Sequence, residues 1–135
     1  TDGRSEKGQA LADNPHAELL FHWRELDRQV RVRGAVTRLS EEASDAYFYS
    51  RPLDSQLAAA TSEQSQPVGS RDLLEQRYRV LTESYAEQAP RPPAWGGYCL
   101  RPNQYEFWQG REGRLHDRLQ YRATNSGWVI ERLQP

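Results

Sequence analysis

The chain has 135 residues and 15.6 kDa, with 18 basic and 19 acidic side chains and a formal net charge of -1. That length suits one compact domain, and 36% apolar with 10% aromatic residues excludes a disordered tail. The near-neutral charge excludes general binding to nucleic acid or an anionic membrane, since both need a basic surplus.

No apolar run approaches the roughly 18 residues of a membrane span and no signal peptide is visible, which predicts a soluble chain. One cysteine, Cys99, can make no internal disulfide, so a reducing compartment, the cytoplasm, is expected. The chain has no methionine and begins at Thr1, which reads as a piece of something longer. Of the basic residues only Lys7 is lysine; arginine's planar fork suits phosphate and carboxylate, and a general arginine bias would look the same.

Ser5 to Ala12 predicts a short helix with Ser5 as N-cap, ended by Asn14-Pro15. Ala17 to Trp23 is a short apolar run, read as a buried strand. Leu26 to Val36 alternates, with Val30, Val32 and Val36 on one side and Gln29, Arg31 and Arg33 on the other, the period of a half-buried strand. Gly34 within it suggests a bulge or a close backbone approach. Ser40-Glu41-Glu42 opens a helix that Pro52 must end or restart, with a second short helix over Pro52 to Ala60.

Thr61 to Ser70 is a polar loop. Arg71 to Gln88 is the longest helical pattern, with Leu73, Leu74, Tyr78, Leu81 and Tyr85 on one face. Pro90, Pro92 and Pro93 form a stiff linker and a seam, giving segments 1–92 and 93–135. Strand-like runs follow at Trp95–Arg101, Gln104–Gln109, Arg114–Arg122 and Trp128–Leu133, an antiparallel meander turned at Gly110–Gly113 and Thr124–Gly127.

Three patterns carry chemistry. On a strand, Arg114, His116 and Arg118 share one face, with the two arginines about 13 Å apart, and such a face meets either an anionic ligand or water. Trp108, on one face of the preceding strand with Glu106, is either a wall for a planar ring or a core side chain. Tyr47, Arg51 and Ser55, spaced by four, offer a guanidinium and two hydroxyls that match a phosphate, although Pro52 forbids one uninterrupted helix. No Gly-rich phosphate loop, dinucleotide fingerprint or paired metal-ligand spacing is present, so no metal is expected; His16, His22 and His116 are scattered. Cys99 reads as a small core residue.

Taken in order and spacing, several pieces resemble the pyridoxamine 5'-phosphate oxidase family across essentially the whole chain. They are Ser5-Glu6-Lys7-Gly8, Arg28-Gln29-Val30, Tyr47-Phe48, Ser50-Arg51-Pro52, Ser55-Gln56, Gln64-Ser65, Trp95-Gly96-Gly97, Glu106-Phe107-Trp108-Gln109-Gly110, Arg114-Leu115-His116-Asp117-Arg118 and Glu131-Arg132-Leu133. The resemblance implies a mainly β fold, an FMN-binding split β-barrel with peripheral helices, working as a homodimer with FMN between subunits. Residues 1–92 would be the remainder of the FMN-binding domain, its N-terminal strands missing from this chain. Residues 93–135 would be the C-terminal dimerisation region that completes the barrel and the site.

The positions matching the family's flavin site are Lys7, Gln29, Gln64, Ser65, Trp108 and Arg118. Those matching its substrate site are Tyr47, Arg51 and Ser55 around the phosphate, with Arg114 and His116 beside the pyridine ring as the catalytic pair. The implied reaction oxidises pyridoxine or pyridoxamine 5'-phosphate with O2, the hard electronic step belonging to the cofactor. Two alternatives remain: a related flavin oxidase of the phenazine-biosynthesis type, and a non-catalytic flavin or pyridoxal-phosphate binding module. Glu6 departs from the pattern, standing where many members carry a basic residue.

Overall fold

A computed structural model describes residues 1–135. Its elements in chain order are α1 (Glu6–Asp13), β1 (His16–Trp23), β2 (Arg28–Arg38), α2 (Glu41–Tyr49), α3 (Leu53–Thr61), α4 (Arg71–Ser84), β3 (Tyr98–Gln109), β4 (Asp117–Thr124) and β5 (Gly127–Arg132), with 3-10 turns at Arg24–Leu26 and Glu112–Arg114. The strands form one sheet in sequence order, β1 to β5, and the pairs β1–β2, β3–β4 and β4–β5 are antiparallel. Two compact units result: Thr1–Asn14 with Arg38–Cys99, and Pro15–Thr37 with Leu100–Pro135. No helix is long and apolar enough to cross a membrane.

The first unit holds the four helices, and side-chain caps start three of them. Ser5, Ser40 and Ser70 accept hydrogen bonds from the amides of Gly8, Ala43 and Leu73, satisfying donors that a helix start leaves unpaired. Pro52 caps α3 without a side-chain bond. The core centres on Phe48, 0% exposed, and Leu57, 1% exposed, with buried Ala89. Phe48 meets Tyr49 and Trp95 edge-on, with ring centroids 5.2 and 5.0 Å away. Buried Gln56 ties the Arg51 carbonyl to the Ala89 amide, donating at 2.8 Å and accepting at 3.2 Å.

In the second unit β1 and β2 pair from His16↔Ala35 to Trp23↔Arg28, turned by Asp27 at φ 47°. Gly34 makes a close backbone approach: a Cβ there would sit 2.0 Å from the carbonyl oxygen of Arg101, so only glycine fits. Buried Glu106 on β3 accepts from Arg118 on β4 at 2.8 Å and lies 3.5 Å from Arg31 on β2. One carboxylate thus joins three adjacent strands.

Five sequence expectations need correction. β1 is a strand but not a buried one; Leu19, Leu20, Phe21 and Trp23 all lie exposed. The helix expected to Gln88 stops at Ser84, where Tyr85 turns extended, because the chain must travel on to place Ala89 in the core. Trp95–Arg101 and Gln104–Gln109 belong to one strand beginning at Tyr98; Pro102 is tolerated because pairing to β4 starts only at Gln104, so its missing N–H leaves no gap there. Cys99 is exposed, not core.

The fifth correction concerns the strand bearing Arg114, His116 and Arg118. It begins at Asp117, so only Arg118 of the three is on it. Gly113 at φ 65° and Arg114 at φ 62° are both left-handed, and two such residues in succession bend the chain too sharply for a strand.

Candidate active site

In the helical unit, Tyr47 lies in the last turn of α2, Arg51 lies in the link and Ser55 sits in the first turn of α3. The broken helix that Pro52 demands is therefore the one observed. The Arg51 guanidinium carbon lies 5.3 Å from the ring centre of Trp95 and 5.9 Å from that of Phe48. Trp95 also stacks on Tyr47, with centroids 6.2 Å apart and planes within 17°. Tyr47 itself is 64% exposed.

One nitrogen of Arg51, Nη1, is buried with no hydrogen-bond partner. A guanidinium donor out of water and unpaired is costly, and a bound anion would relieve that cost. Three other candidates share this unit. Lys7 is exposed on α1. Gln64 accepts from the Thr1 hydroxyl at 2.9 Å and the Asp2 amide at 3.0 Å. Ser65 is left-handed at φ 67°. A cavity of about 600 Å³, lined in part by Thr61, Leu73, Arg77 and Val80, holds none of the sequence-selected residues.

In the sheet unit, Gln29 and Trp108 line one cavity of about 400 Å³ together with Trp23, Arg28 and Arg111. Indoles with guanidinium groups suit a planar, anionic ligand. Arg118 faces Trp108 across the β3–β4 ladder, and Trp108 is half-buried. Arg118 is partly committed already, donating to Glu106 through Nε and to the Gln134 carbonyl through Nη1 at 2.9 Å. The Glu106 carboxylate holds its guanidinium above the ordinary arginine range, so it is a permanent cation.

His116 packs against Trp108 with ring centres 4.9 Å apart, and its Nδ1 accepts the Arg111 amide at 3.1 Å. An amide can donate only to a lone pair, so Nδ1 is unprotonated and the ring carries its proton at Nε2. The turn bearing His116 is braced by Asp117, which accepts from Arg111 at 2.8 Å and Arg132 at 2.5 Å. Those guanidiniums hold the Asp117 carboxyl below the usual carboxylate range, Arg111 first. Arg114 is exposed and does not join the Trp108–His116 stack.

Sequence reasoning passed over Trp95 as the platform for Arg51, and Asp117 as the brace for His116. It also missed Gln109, which accepts from Arg28 at 2.6 Å and donates to the Leu26 carbonyl at 3.1 Å. Trp95 and Asp117 lie inside recognised motifs, but Trp95 acts on Arg51 across a long stretch of chain and Asp117 acts through arginines on both sides of it.

Comparison with solved structures defines the class. PhzG from Burkholderia lata, solved in complex with tetrahydrophenazine-1-carboxylic acid, superposes with a TM-score of 0.89 at 32% identity, covering 100% of this chain and 66% of its own. A pyridoxamine 5'-phosphate oxidase-related FMN-binding protein from Nostoc punctiforme superposes at 0.67 with 20% identity, covering 100% and 71%. The chain is therefore a split-β-barrel protein with peripheral helices.

Family models place it further. Residues 1–85 match the model described as pyridoxamine 5'-phosphate oxidase, and residues 95–135 the pyridoxine 5'-phosphate oxidase C-terminal dimerisation region. The pyridoxine/pyridoxamine 5'-phosphate oxidase of Paraburkholderia phymatum is 56% identical over the whole of this chain and 64% of its own length. The chain belongs to the pyridoxamine 5'-phosphate oxidase family. It spans 62–64% of the length of the curated relatives it matches.

Proposed function

We propose that the complete polypeptide oxidises pyridoxine 5'-phosphate or pyridoxamine 5'-phosphate to pyridoxal 5'-phosphate, with FMN as cofactor and O2 as acceptor. Pyridoxine phosphate and O2 give pyridoxal phosphate and H2O2; the amine also consumes water and releases ammonia. The observation that carries the reading is the buried, unpartnered Nη1 of Arg51, whose guanidinium rests on the Trp95 ring that also stacks on Tyr47. A substrate without an anionic tail has no use for that donor set.

The residues present fit the flavin: the indole and arginines around the cavity shared by Gln29 and Trp108 suit a planar anion. Gln29 and Trp108, which line that cavity, would hold it together with Arg118; Lys7, Gln64 and Ser65 are proposed as further flavin-binding residues on the family match alone. When bound, FMN supplies the two-electron acceptor chemistry that no side chain offers. Arg51 binds the substrate phosphate through its fork, and Tyr47 and Ser55 add neutral donors. His116 and Arg114 are the proposed catalytic pair, the one offering an Nε2–H and the other a positive charge.

A homodimer with FMN at its interface is supported by the match of residues 95–135 to a dimerisation region and by the exposed Phe107, Trp128 and Ile130 on those strands. The lone cysteine supports a cytoplasmic setting. The likeness to PhzG favours a second reading, a phenazine-type oxidase on the same scaffold.

Aerobic turnover of pyridoxine 5'-phosphate by the complete polypeptide with added FMN separates them. Equimolar pyridoxal 5'-phosphate and peroxide are expected; flavin binding without turnover would favour the phenazine-type or the non-catalytic reading. Arg51→Ala should raise KM for the phosphorylated substrate by about 10- to 100-fold, the worth of a charge-assisted hydrogen bond, with FMN affinity unchanged. Equal losses for both ligands would make Arg51 structural.

A further inference from the structure

Residues 86–94 fall between the two family models and read in sequence as a proline-stiffened linker. Yet they hold Arg91, whose side chain is only 9% exposed. Its guanidinium is used on three sides. Nε donates to Asp45 at 2.5 Å, Nη2 donates to Glu41, and Nη1 donates to the main-chain carbonyl of Trp95. Glu41 and Asp45 are four residues apart, one turn of α2 and one face of it.

Those three contacts converge on the candidate phosphate subsite. α2 carries Tyr47, two residues after Asp45, and Trp95 is the ring beneath Arg51 and against Tyr47. The Trp95 amide is itself tied to the Pro92 carbonyl at 2.9 Å. Pro90, Pro92 and Pro93 fix their own φ angles, so the backbone carrying Arg91 has little freedom. A single planar fork therefore sets both the helix that bears Tyr47 and the indole platform on which Arg51 rests.

We propose that Arg91 is a positioning residue for substrate phosphate, holding α2 and Trp95 in the spacing that aims the Arg51 donor at its anion. This rests on the functional reading above. Glu41 and Asp45 are about half exposed or more, so water screens the ion pairs and stability alone gives them little worth. What a lysine cannot reproduce is geometry: its ammonium is a point charge and cannot span three acceptors in one plane.

The test uses the complete polypeptide with FMN, comparing binding of pyridoxal 5'-phosphate with that of pyridoxal, which lacks the phosphate. Arg91→Lys keeps the charge and should weaken the phosphorylated ligand about tenfold, the middle of the range for coupled network neighbours, with pyridoxal and FMN affinity within about twofold. KM for pyridoxine 5'-phosphate should rise likewise with kcat little changed. Asp45→Asn, which loosens Arg91 without removing it, should shift the ratio in the same direction by less.

Wild-type selectivity for the phosphate in Arg91→Lys, or equal loss of all three ligands, would overturn the proposal. If Arg91→Lys fails to fold, unchanged selectivity in Asp45→Asn overturns it. Arg51→Ala is the reference: if selectivity survives that change, the phosphate reading itself falls and the proposal with it. If selectivity collapses there but persists in the Arg91 and Asp45 variants, only the positioning role is lost.

Discussion

Phe48 and Leu57 in the helical unit are shielded to 1% exposure or less, whereas Leu20 and Ile130 in the sheet unit stand 60% and 56% exposed. The helical unit closes its own core, so the geometry around Arg51, Tyr47 and Trp95 is set by residues of this chain. The sheet unit relies on ladder pairing and on the Glu106 carboxylate between Arg31 and Arg118, and leaves its large apolar side chains open. Within one chain, the phosphate candidates are therefore pre-set by packing, while the flavin candidates Trp108 and Arg118 are held by pairing.

The sharpest way to break that contrast is a matched pair of truncations in the 135-residue chain. Phe48→Ala should cost about 3–5 kcal/mol by denaturant unfolding, transfer and cavity terms together. Ile130→Ala should cost less than about 1 kcal/mol, as surface changes do. Equal costs would mean that the sheet face is covered in solution, and the same pair in the longer polypeptide reads how much is covered there.

A smaller effect comes from the start of α2. Ser40→Ala removes the acceptor for the Ala43 amide and should cost about 1 kcal/mol. Thermal unfolding would detect it, and no change would mean that water replaces the cap.

The mildest expected effect is in the sheet unit and depends on pH. Asp117 has its carboxyl lowered by Arg111 and Arg132, so its bracing contribution is complete above about pH 4, the ordinary carboxylate value, and is lost as pH falls through the lower folded value. Carboxyl carbon shifts in an acid titration should place the Asp117 midpoint below that of an exposed aspartate. Asp117→Asn should remove the dependence, and a normal midpoint would remove Asp117 as the brace of the His116 turn.

Local signals were legible where local physics decides the outcome. Ser5 and Ser40 announced their helices, Pro52 announced the break between α2 and α3, and the alternation through Val30 and Val32 announced β2. Burial was not legible for Ala17–Trp23, because an apolar run reports what a strand would prefer and not what the rest of the fold provides. The left-handed pair at Gly113 and Arg114 was equally hidden, since arginine gives no hint of positive φ, and it undid the common face expected for Arg114, His116 and Arg118. The phosphate trio was found from spacing, whereas Trp95 and Arg91 act through contacts 44 and 46–50 residues away along the chain, beyond any periodicity.

Gly34 lies against the carbonyl of Arg101 with no room for a side chain. A slide of one residue would press the Cβ of Arg33 or Ala35 into that oxygen and also turn every side chain of β2 to the opposite face. The absence of an atom thus works as a notch that admits one alignment and rejects its neighbours. Because β2 carries Gln29 and β3 carries Trp108, that notch also decides whether the two line a common cavity. Steric exclusion at one residue sets the composition of a wall several residues distant.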